Sequence, residues 1–221
     1  MLPRVILYNV VSVDGRIDGF EPDLELYYGL ASKWNEDATL VGSETILTGE
    51  DEIPEETEDD LEPPVKEDDQ GSILVIPDSR GRVRTWHALR KWPYWREFVA
   101  LVSKSTPKDY IEYLEKRQID YIMTGEDKVD LRAALEELNK KYGIETIRVD
   151  SGGTLNGVLL REGLVTDLSV LIAPTAIGGT SPQSMYRAED LVSADNAIKL
   201  KLEHLEKMKD GYVWLKYKIV K

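Results

Sequence analysis

Apolar and polar positions alternate along this chain in blocks whose period switches between two and about three and a half. Residues 4–12 (RVILYNVVS) form a short, nearly continuous apolar run, the pattern of a strand buried on both faces. Residues 23–37 read as a helix, 38–42 (ATLVG) as a short strand, and 72–79 (SILVIPDS) and 97–103 (EFVALVS) as two further strands. Residues 106–118 predict a helix with Thr106 as N-cap and Pro107 at its first position. A strand over 119–125 and an amphipathic helix over 130–143, ended by Gly143, come next. Then follow a strand over 144–150, a helix over 154–163 ended by Gly163, and a long strand over 165–174. The last 25 residues alternate as two strands around the turn KDG. Strands interleaved with helices predict an α/β fold: a single domain over 1–221 with a mixed, mostly parallel sheet flanked by helices and a C-terminal antiparallel hairpin.

Charge changes this picture in one place. The net charge is −13, but residues 50–70 (EDEIPEETEDDLEPPVKEDDQ) hold 12 acids and one lysine, so nearly all the excess sits there. With three prolines and few large apolar residues, that segment is expected to be a solvated, flexible loop. The rest of the chain is close to neutral and has no basic footprint, so nucleic acid is not an expected partner. The absence of cysteine removes disulfides, thiolate metal sites and thiol nucleophiles. The N-terminus lacks a signal-peptide pattern and no apolar run could cross a bilayer; a soluble cytoplasmic protein without a membrane partner is the expectation. Two histidines, His87 and His204, so placed in the chain suggest neither a metal site nor a Ser-His-Asp triad.

In α/β sheets ligands sit beyond the carboxyl ends of strands. Four such ends carry suitable residues: SVDGRIDG (12–19), VGSET (41–45), PDSRGR (77–82) and DSGGTLN (150–156). Gly152 and Gly153, at the mouth of a helix, read equally as a diphosphate cradle and as a tight turn or close helix–strand packing. Ser79, Arg80 and Arg82 have the donors for a further phosphate, such as the 2′-phosphate of NADPH, although single arginines are commonly plain surface residues. Asp14-Gly15 is a good turn dipeptide, and its carboxylate is also placed to orient a polar heterocycle. Trp86, Trp92 and Trp95 suit loop packing or a dimer contact better than base stacking.

Taken in order, these stretches resemble a known family. The run VDSGGTLNGVLLREGLVTDLSVLIAPTAIGG (149–179) looks like the signature of the riboflavin-biosynthesis reductases, whose fold is that of dihydrofolate reductase. SVDGRI, LVGSETIL and DSRGRV resemble shorter motifs of the same family in the same order. The resemblance implies an NADPH-dependent oxidoreductase. It would reduce the ribosyl group of a 5-amino-6-(5-phosphoribosylamino)pyrimidine to ribityl by hydride transfer to C1′, and would work as a homodimer. Carried over residue by residue, it implies that Gly42, Ser43 and Thr45 line the cofactor. Ser79, Arg80 and Arg82 would approach its adenosine phosphate, and Ser151, Gly152, Gly153, Thr154, Leu155 and Asn156 would cradle the diphosphate. Asp14, Lys33 and Asp150 would face the substrate, with Asp14 and Asp150 as the catalytic pair and no metal involved.

This chain also departs from the family. Glu44 stands at a common glycine, placing a negative charge near the expected phosphates. Leu30 and Lys33 stand where a histidine and an arginine are frequent, and the acidic segment replaces a substrate-binding stretch. Two other readings therefore stay open: an NADPH reductase of another heterocycle such as a pterin, or a non-enzymatic homologue. Asp167, before the last long strand of the signature, reads as a structural turn or edge residue.

Overall fold

Residues 1–49, 53–64, 71–180 and 184–220 are described in a computed structural model of the chain. Among them the chain runs β1 (Arg4–Val11), α1 (Leu24–Ala31), β2 (Ala38–Leu40), α2 (Ser43–Thr48), β3 (Ser72–Pro77), α3 (Trp86–Arg90), β4 (Trp95–Val102) and α4 (Lys108–Lys116). It continues with β5 (Asp120–Met123), α5 (Leu131–Tyr142), β6 (Thr146–Val149), α6 (Gly153–Arg161), β7 (Asp167–Ile172), β8 (Leu200–Lys207) and β9 (Val213–Ile219). The strands are mostly parallel, and β9 and β8 add the antiparallel C-terminal hairpin, as the periodicity predicts. Within this α/β domain the residues group into two compact units. One is Met1–Pro3 with Glu36–Ile147; the other is Arg4–Asn35 with Arg148–Lys221.

In the first unit the strand order is β5-β4-β3-β2-β6. β2, β3, β4 and β5 pair in parallel, with Leu40 beside Val75 and Val75 beside Val99. Leu74 and Ile76 of β3 and Phe98, Ala100 and Val102 of β4 share one apolar cluster with Trp86, Tyr110 and Leu114. The alternate residues Ile73, Val75, Val99 and Leu101 are buried too, which is why these strands read as continuous apolar runs rather than alternating ones. α5 buries Leu131, Ala134, Leu135 and Leu138 at helical spacing. The Asp130 carboxylate caps its start by accepting from the Ala133 N–H at 3.0 Å, and Gly143 closes it at φ 68°.

In the second unit the order is β1-β7-β9-β8. β1 and β7 are parallel from Ile6 beside Asp167 to Val11 beside Ile172. Its core gathers Tyr8, Tyr27, Leu30, Leu171, Tyr212 and Trp214. The Tyr8 and Tyr27 rings stack 4.5 Å apart. Asp167 is the structural residue expected, gripping Arg4 with both oxygens at 2.9 and 2.8 Å.

Three sequence expectations need correction. α4 begins one residue later than predicted, with Pro107 at its N-cap. Thr106 instead uses its hydroxyl in the turn, accepting from the Ser103 N–H and donating to the Ser79 carbonyl. Second, 43–48 and 86–90 are short helices whose length carries too few turns to show a period. Third, the described part of the acidic segment, 53–64, is not simply solvated. Glu58–Leu61 forms a 3-10 turn closed by reciprocal Thr57–Asp60 bonds. Glu56 takes two hydrogen bonds from Arg117, Lys91 reaches Asp60 at 2.9 Å, and the Pro54 carbonyl lies 2.8 Å from His87 Nε2. A composition argument cannot see these partners, because every one of them is distant in sequence. Residues 50–52 and 65–70 of that segment lie outside the described residues.

The Arg117 hydrogen bonds hold the Glu56 carboxyl below its usual range. The pair is mostly covered, so Glu56→Ala is expected to destabilise the protein by about 1–2 kcal/mol, between the exposed and buried limits for ion pairs. Because the folded-state pKa is depressed, this contribution is complete above about pH 4.3 and disappears as the pH falls below it. Urea unfolding of both proteins at pH 7 and pH 3 measures it; an equal difference at the two pH values would contradict the role of the carboxylate.

Candidate functional site

The first unit brings its candidate residues together at the carboxyl ends of β2 and β3, which lie side by side as parallel neighbours. After β3 the chain turns sharply, and the turn is built on Asp78. Its buried carboxylate accepts the N–H groups of Arg82 at 2.6 Å and Val83 at 2.7 Å through one oxygen. Gly81 sits at φ 63°, and a Cβ there would lie 2.6 Å from the Tyr110 ring. Only glycine meets both demands. The Ser79 hydroxyl accepts from the Val129 N–H at 3.0 Å, tying the same loop to the one after β5.

Held this way, the loop leaves Arg80 exposed, and among the described residues Arg80 has no ion-pair partner. Arg82 turns toward the end of β2. Its Nη2 lies 2.6 Å from Glu44 Oε1 and 3.4 Å from the Ser43 hydroxyl. Its Nε is a buried donor with no acceptor among the described residues. Gly42 is the extended residue before α2, and Thr45 is exposed on the first turn. Gly42, Ser43 and Thr45 thus follow β2 at the start of α2, and Ser79, Arg80 and Arg82 follow the neighbouring β3. Asp78, which shapes the loop after β3, was quoted in the motif without a role.

The second unit assembles a different surface at the ends of β1, β6 and β7. Asp150 follows β6 and is held from two sides. Arg148 Nη1 donates to one oxygen at 3.0 Å, and the Tyr27 hydroxyl lies 3.0 Å from the other. Arg148 and Asp150 are two apart, so the strand pleat puts both on one face. That spacing was visible in the sequence; Tyr27, on a helix more than a hundred residues away, was not. Burial pushes the Tyr27 phenol well above its ordinary pKa, with the Asp150 charge adding to the effect, so it stays a neutral donor.

The Asp14 carboxylate accepts from the Ile177 N–H at 2.9 Å, the Gly178 N–H at 2.7 Å and the Ser12 hydroxyl at 2.8 Å. Led by the two backbone bonds, these hold its carboxyl at about 2. Held this way, Asp14 anchors the loop after β7. Arg16 supports the same loop through the Gly179 carbonyl at 2.6 Å.

The glycine pair divides its work. Gly152 is the extended N-cap of α6, and no side chain caps the helix there. Gly153 is buried, and its missing side chain makes room for residues 184–187: a Cβ would collide with the Ser184 carbonyl and approach the Arg187 side chain at 2.9 Å. Arg187 N–H in turn bonds the Gly153 carbonyl at 2.9 Å. Asn156 is completely buried, its amide nitrogen within bonding reach of Asn9 Oδ1 and the Ser151 and Met185 carbonyls. Gly153 and Asn156 thus pack against residues 184–187 and Asn9, and Ser151 is buried beside them. Gly152, Thr154 and Leu155 keep access to solvent. The Lys33 ammonium lies 5.0 Å above the Trp214 ring. Among the described residues no histidine–carboxylate group is arranged to hold a metal ion, and no helix is long and apolar enough to cross a membrane.

Comparison with known proteins gives a consistent result. The family model described as the RibD C-terminal domain matches residues 3–214. The 2,5-diamino-6-ribosylamino-4(3H)-pyrimidinone 5′-phosphate reductase of Methanothermobacter thermautotrophicus is 29% identical over 217 residues, covering 92% of each chain. The protein of the same name from Archaeoglobus fulgidus is 27% identical over 222 residues, covering 96% of each. Among solved structures, RibD of Acinetobacter baumannii superposes with a TM-score of 0.71 at 18% identity, covering 99% of this chain and 58% of that longer one. The riboflavin biosynthesis reductase Rib7 of Saccharomyces cerevisiae gives 0.66 at 19% identity, covering 99% and 90%. The structural likenesses are of fold.

The Asp14 anchor makes a measurable claim. Amide protection of Ile177 and Gly178, corrected for intrinsic exchange, is expected to hold from pH 7 down to about 4, the ordinary aspartate range. It should fall as the pH drops through about 2, where the folded-state carboxyl takes up its proton. In Asp14→Asn protection should be low throughout, and unchanged protection would remove the anchor.

Proposed function

The chain belongs to the RibD C-terminal domain family, and on that footing we propose that it is an NADPH-dependent reductase of riboflavin biosynthesis. The substrate proposed is 2,5-diamino-6-ribosylamino-4(3H)-pyrimidinone 5′-phosphate, the compound named for relatives that match this chain almost end to end. The reaction reduces C1′ of its opened, imine-like ribosyl group and leaves a ribityl amine. A soluble cytoplasmic homodimer is the proposed working form.

The observation that carries the cofactor half is the Asp78-built loop of the first unit. Arg80 is an exposed guanidinium without an ion-pair partner, and Arg82 Nε is a buried donor without an acceptor, both among the described residues. A set of donors short of an anion suits a phosphate, and the adjoining Ser43 and Ser79 hydroxyls add further polar contacts. In the second unit α6 starts without a side-chain cap, and Gly152 and Thr154 there keep access to solvent. When bound, the nicotinamide supplies the hydride. The chain's own groups bind and orient.

Asp150 is the acidic group available to the substrate. Arg148 and Tyr27 fix its direction while part of the side chain stays open to solvent. A carboxylate so fixed accepts N–H bonds from an aminopyrimidine and holds the heterocycle in register for attack at C1′. The proton needed at the sugar nitrogen comes from water. Asp14 acts at one remove, by holding the 177–178 backbone in place.

The test is a titration of purified protein with NADPH and NADH, followed by addition of the diaminopyrimidinone ribosyl phosphate while reduced-cofactor absorbance is read. Cofactor binding with substrate-dependent oxidation is expected. Binding without oxidation would move the proposal to another heterocycle on the same fold, such as a pterin. Arg80→Ala should weaken NADPH more than NADH, and equal losses would remove the 2′-phosphate from this loop. Asp150→Asn should lower kcat/KM by about 10- to 100-fold, the scale of one charge-assisted hydrogen bond, with cofactor affinity retained.

A further inference from the structure

Glu44 is an unexpected neighbour for a phosphate-binding arginine. It lies on the first turn of α2, mostly exposed, and its Oε1 is 2.6 Å from Arg82 Nη2. The same guanidinium still holds a buried Nε without an acceptor among the described residues. Arg80, two residues away on the same loop, has no counter-ion of its own among them. Apart from Asp78, whose carboxylate holds the backbone of the loop, the anion that meets the Arg82 guanidinium is Glu44, and it belongs to the protein.

We infer that Glu44 sets the cofactor selectivity of this chain, acting as a built-in rival of the cofactor's 2′-phosphate for Arg82. The inference rests on the proposed placement of that phosphate beside Arg80 and Arg82. A 2′-phosphate approaching Arg82 meets a carboxylate already bonded to Nη2. Either the carboxylate leaves, losing an ion pair, or it stays and repels the phosphate. NADH carries no 2′-phosphate and incurs neither cost. Its ribose 2′-hydroxyl is a donor that an acidic side chain accepts, the arrangement by which many dinucleotide sites favour NAD. Glu44 thus opposes the preference that Arg80 and Arg82 create, and the balance of the three side chains decides how strongly NADPH is favoured.

The size of the effect is bounded by exposure. Glu44 is 69% exposed and Arg82 36%, so the pair is screened by solvent and salt. Glu44→Gln keeps the side-chain volume and removes the charge. It is expected to tighten NADPH by about two- to fivefold, the scale of one exposed ion pair. NADH should bind no more tightly than before. The gain should shrink at high salt.

The experiment is a direct binding measurement, by quenching of intrinsic tryptophan fluorescence, of NADPH and NADH to four proteins: the parent, Glu44→Gln, Arg82→Ala and the double variant. Circular dichroism checks that all four are folded. Tighter NADPH in Glu44→Gln, with no such gain in the Arg82→Ala background, supports the inference, because the coupling then runs through Arg82. Binding of both dinucleotides with an unmoved NADPH-to-NADH ratio overturns the selectivity role of Glu44 and leaves the reductase proposal standing. An equal gain in the Arg82→Ala background overturns the rivalry for Arg82. Failure of the parent and every variant to bind either dinucleotide overturns the underlying placement and the inference with it.

Discussion

Both candidate surfaces depend on aspartates that accept backbone N–H groups where strands end. A parallel strand that stops leaves its next few amides without ladder partners, and buried amides must find acceptors. Asp78 accepts from Arg82 and Val83, and Asp14 from Ile177 and Gly178. Asp37 takes the N–H groups of Glu145 and Thr146 at 2.8 Å each. An ionised oxygen is a stronger acceptor than a carbonyl, so a single short side chain can fix two consecutive amides and with them the path of a loop. The directions of Arg80 and Arg82 follow from the first of these aspartates. The position of the glycine-rich stretch after β7 follows from the second.

The same residue type therefore does different work at three strand ends. Asp14 and Asp78 act on the backbone, while Asp150 is fixed by Arg148 and Tyr27 and keeps an open edge. Their sequence contexts are alike: an aspartate next to small residues after an apolar run. What separates them is which donors folding brings within reach: backbone N–H groups for Asp14 and Asp78, side chains for Asp150. Those partners are a property of the packed chain, which is why a motif can mark all three positions without distinguishing them.

The glycine pair shows the same limit. Sequence leaves open whether Gly152 and Gly153 admit a ligand or admit the chain itself. In the structure, adjacent glycines answer differently, because α6 turns one toward its uncapped end and the other toward residues 184–187. Asn156, one turn further on, is drawn into the buried network with Asn9 and Ser151. The acidic segment makes a parallel point about charge. Twelve carboxylates in 21 residues suggest repulsion and solvation, yet Glu56 and Asp60 are held by Arg117 and Lys91, which lie on elements far along the chain. Net charge describes a segment against water; it does not describe the cations that folding brings beside it.

By itself the sequence determined the element order, the mixed α/β class and the loops that carry the candidate chemistry. Those properties are written in local periods of two and 3.6 and in glycines and aspartates at strand ends, where neighbours in the chain are also neighbours in space. It also carried the ordered motifs by which the family is recognised, across 3–214. Tertiary structure decided which polar groups have partners. Arg82 and Glu44 are 38 positions apart, Asp14 and Gly178 are 164, and Tyr27 and Asp150 are 123. No local pattern encodes contacts at such separations. They exist only once apolar burial has set the strands side by side, and at that point each carboxylate bonds to whatever donor the packing has brought within 3 Å.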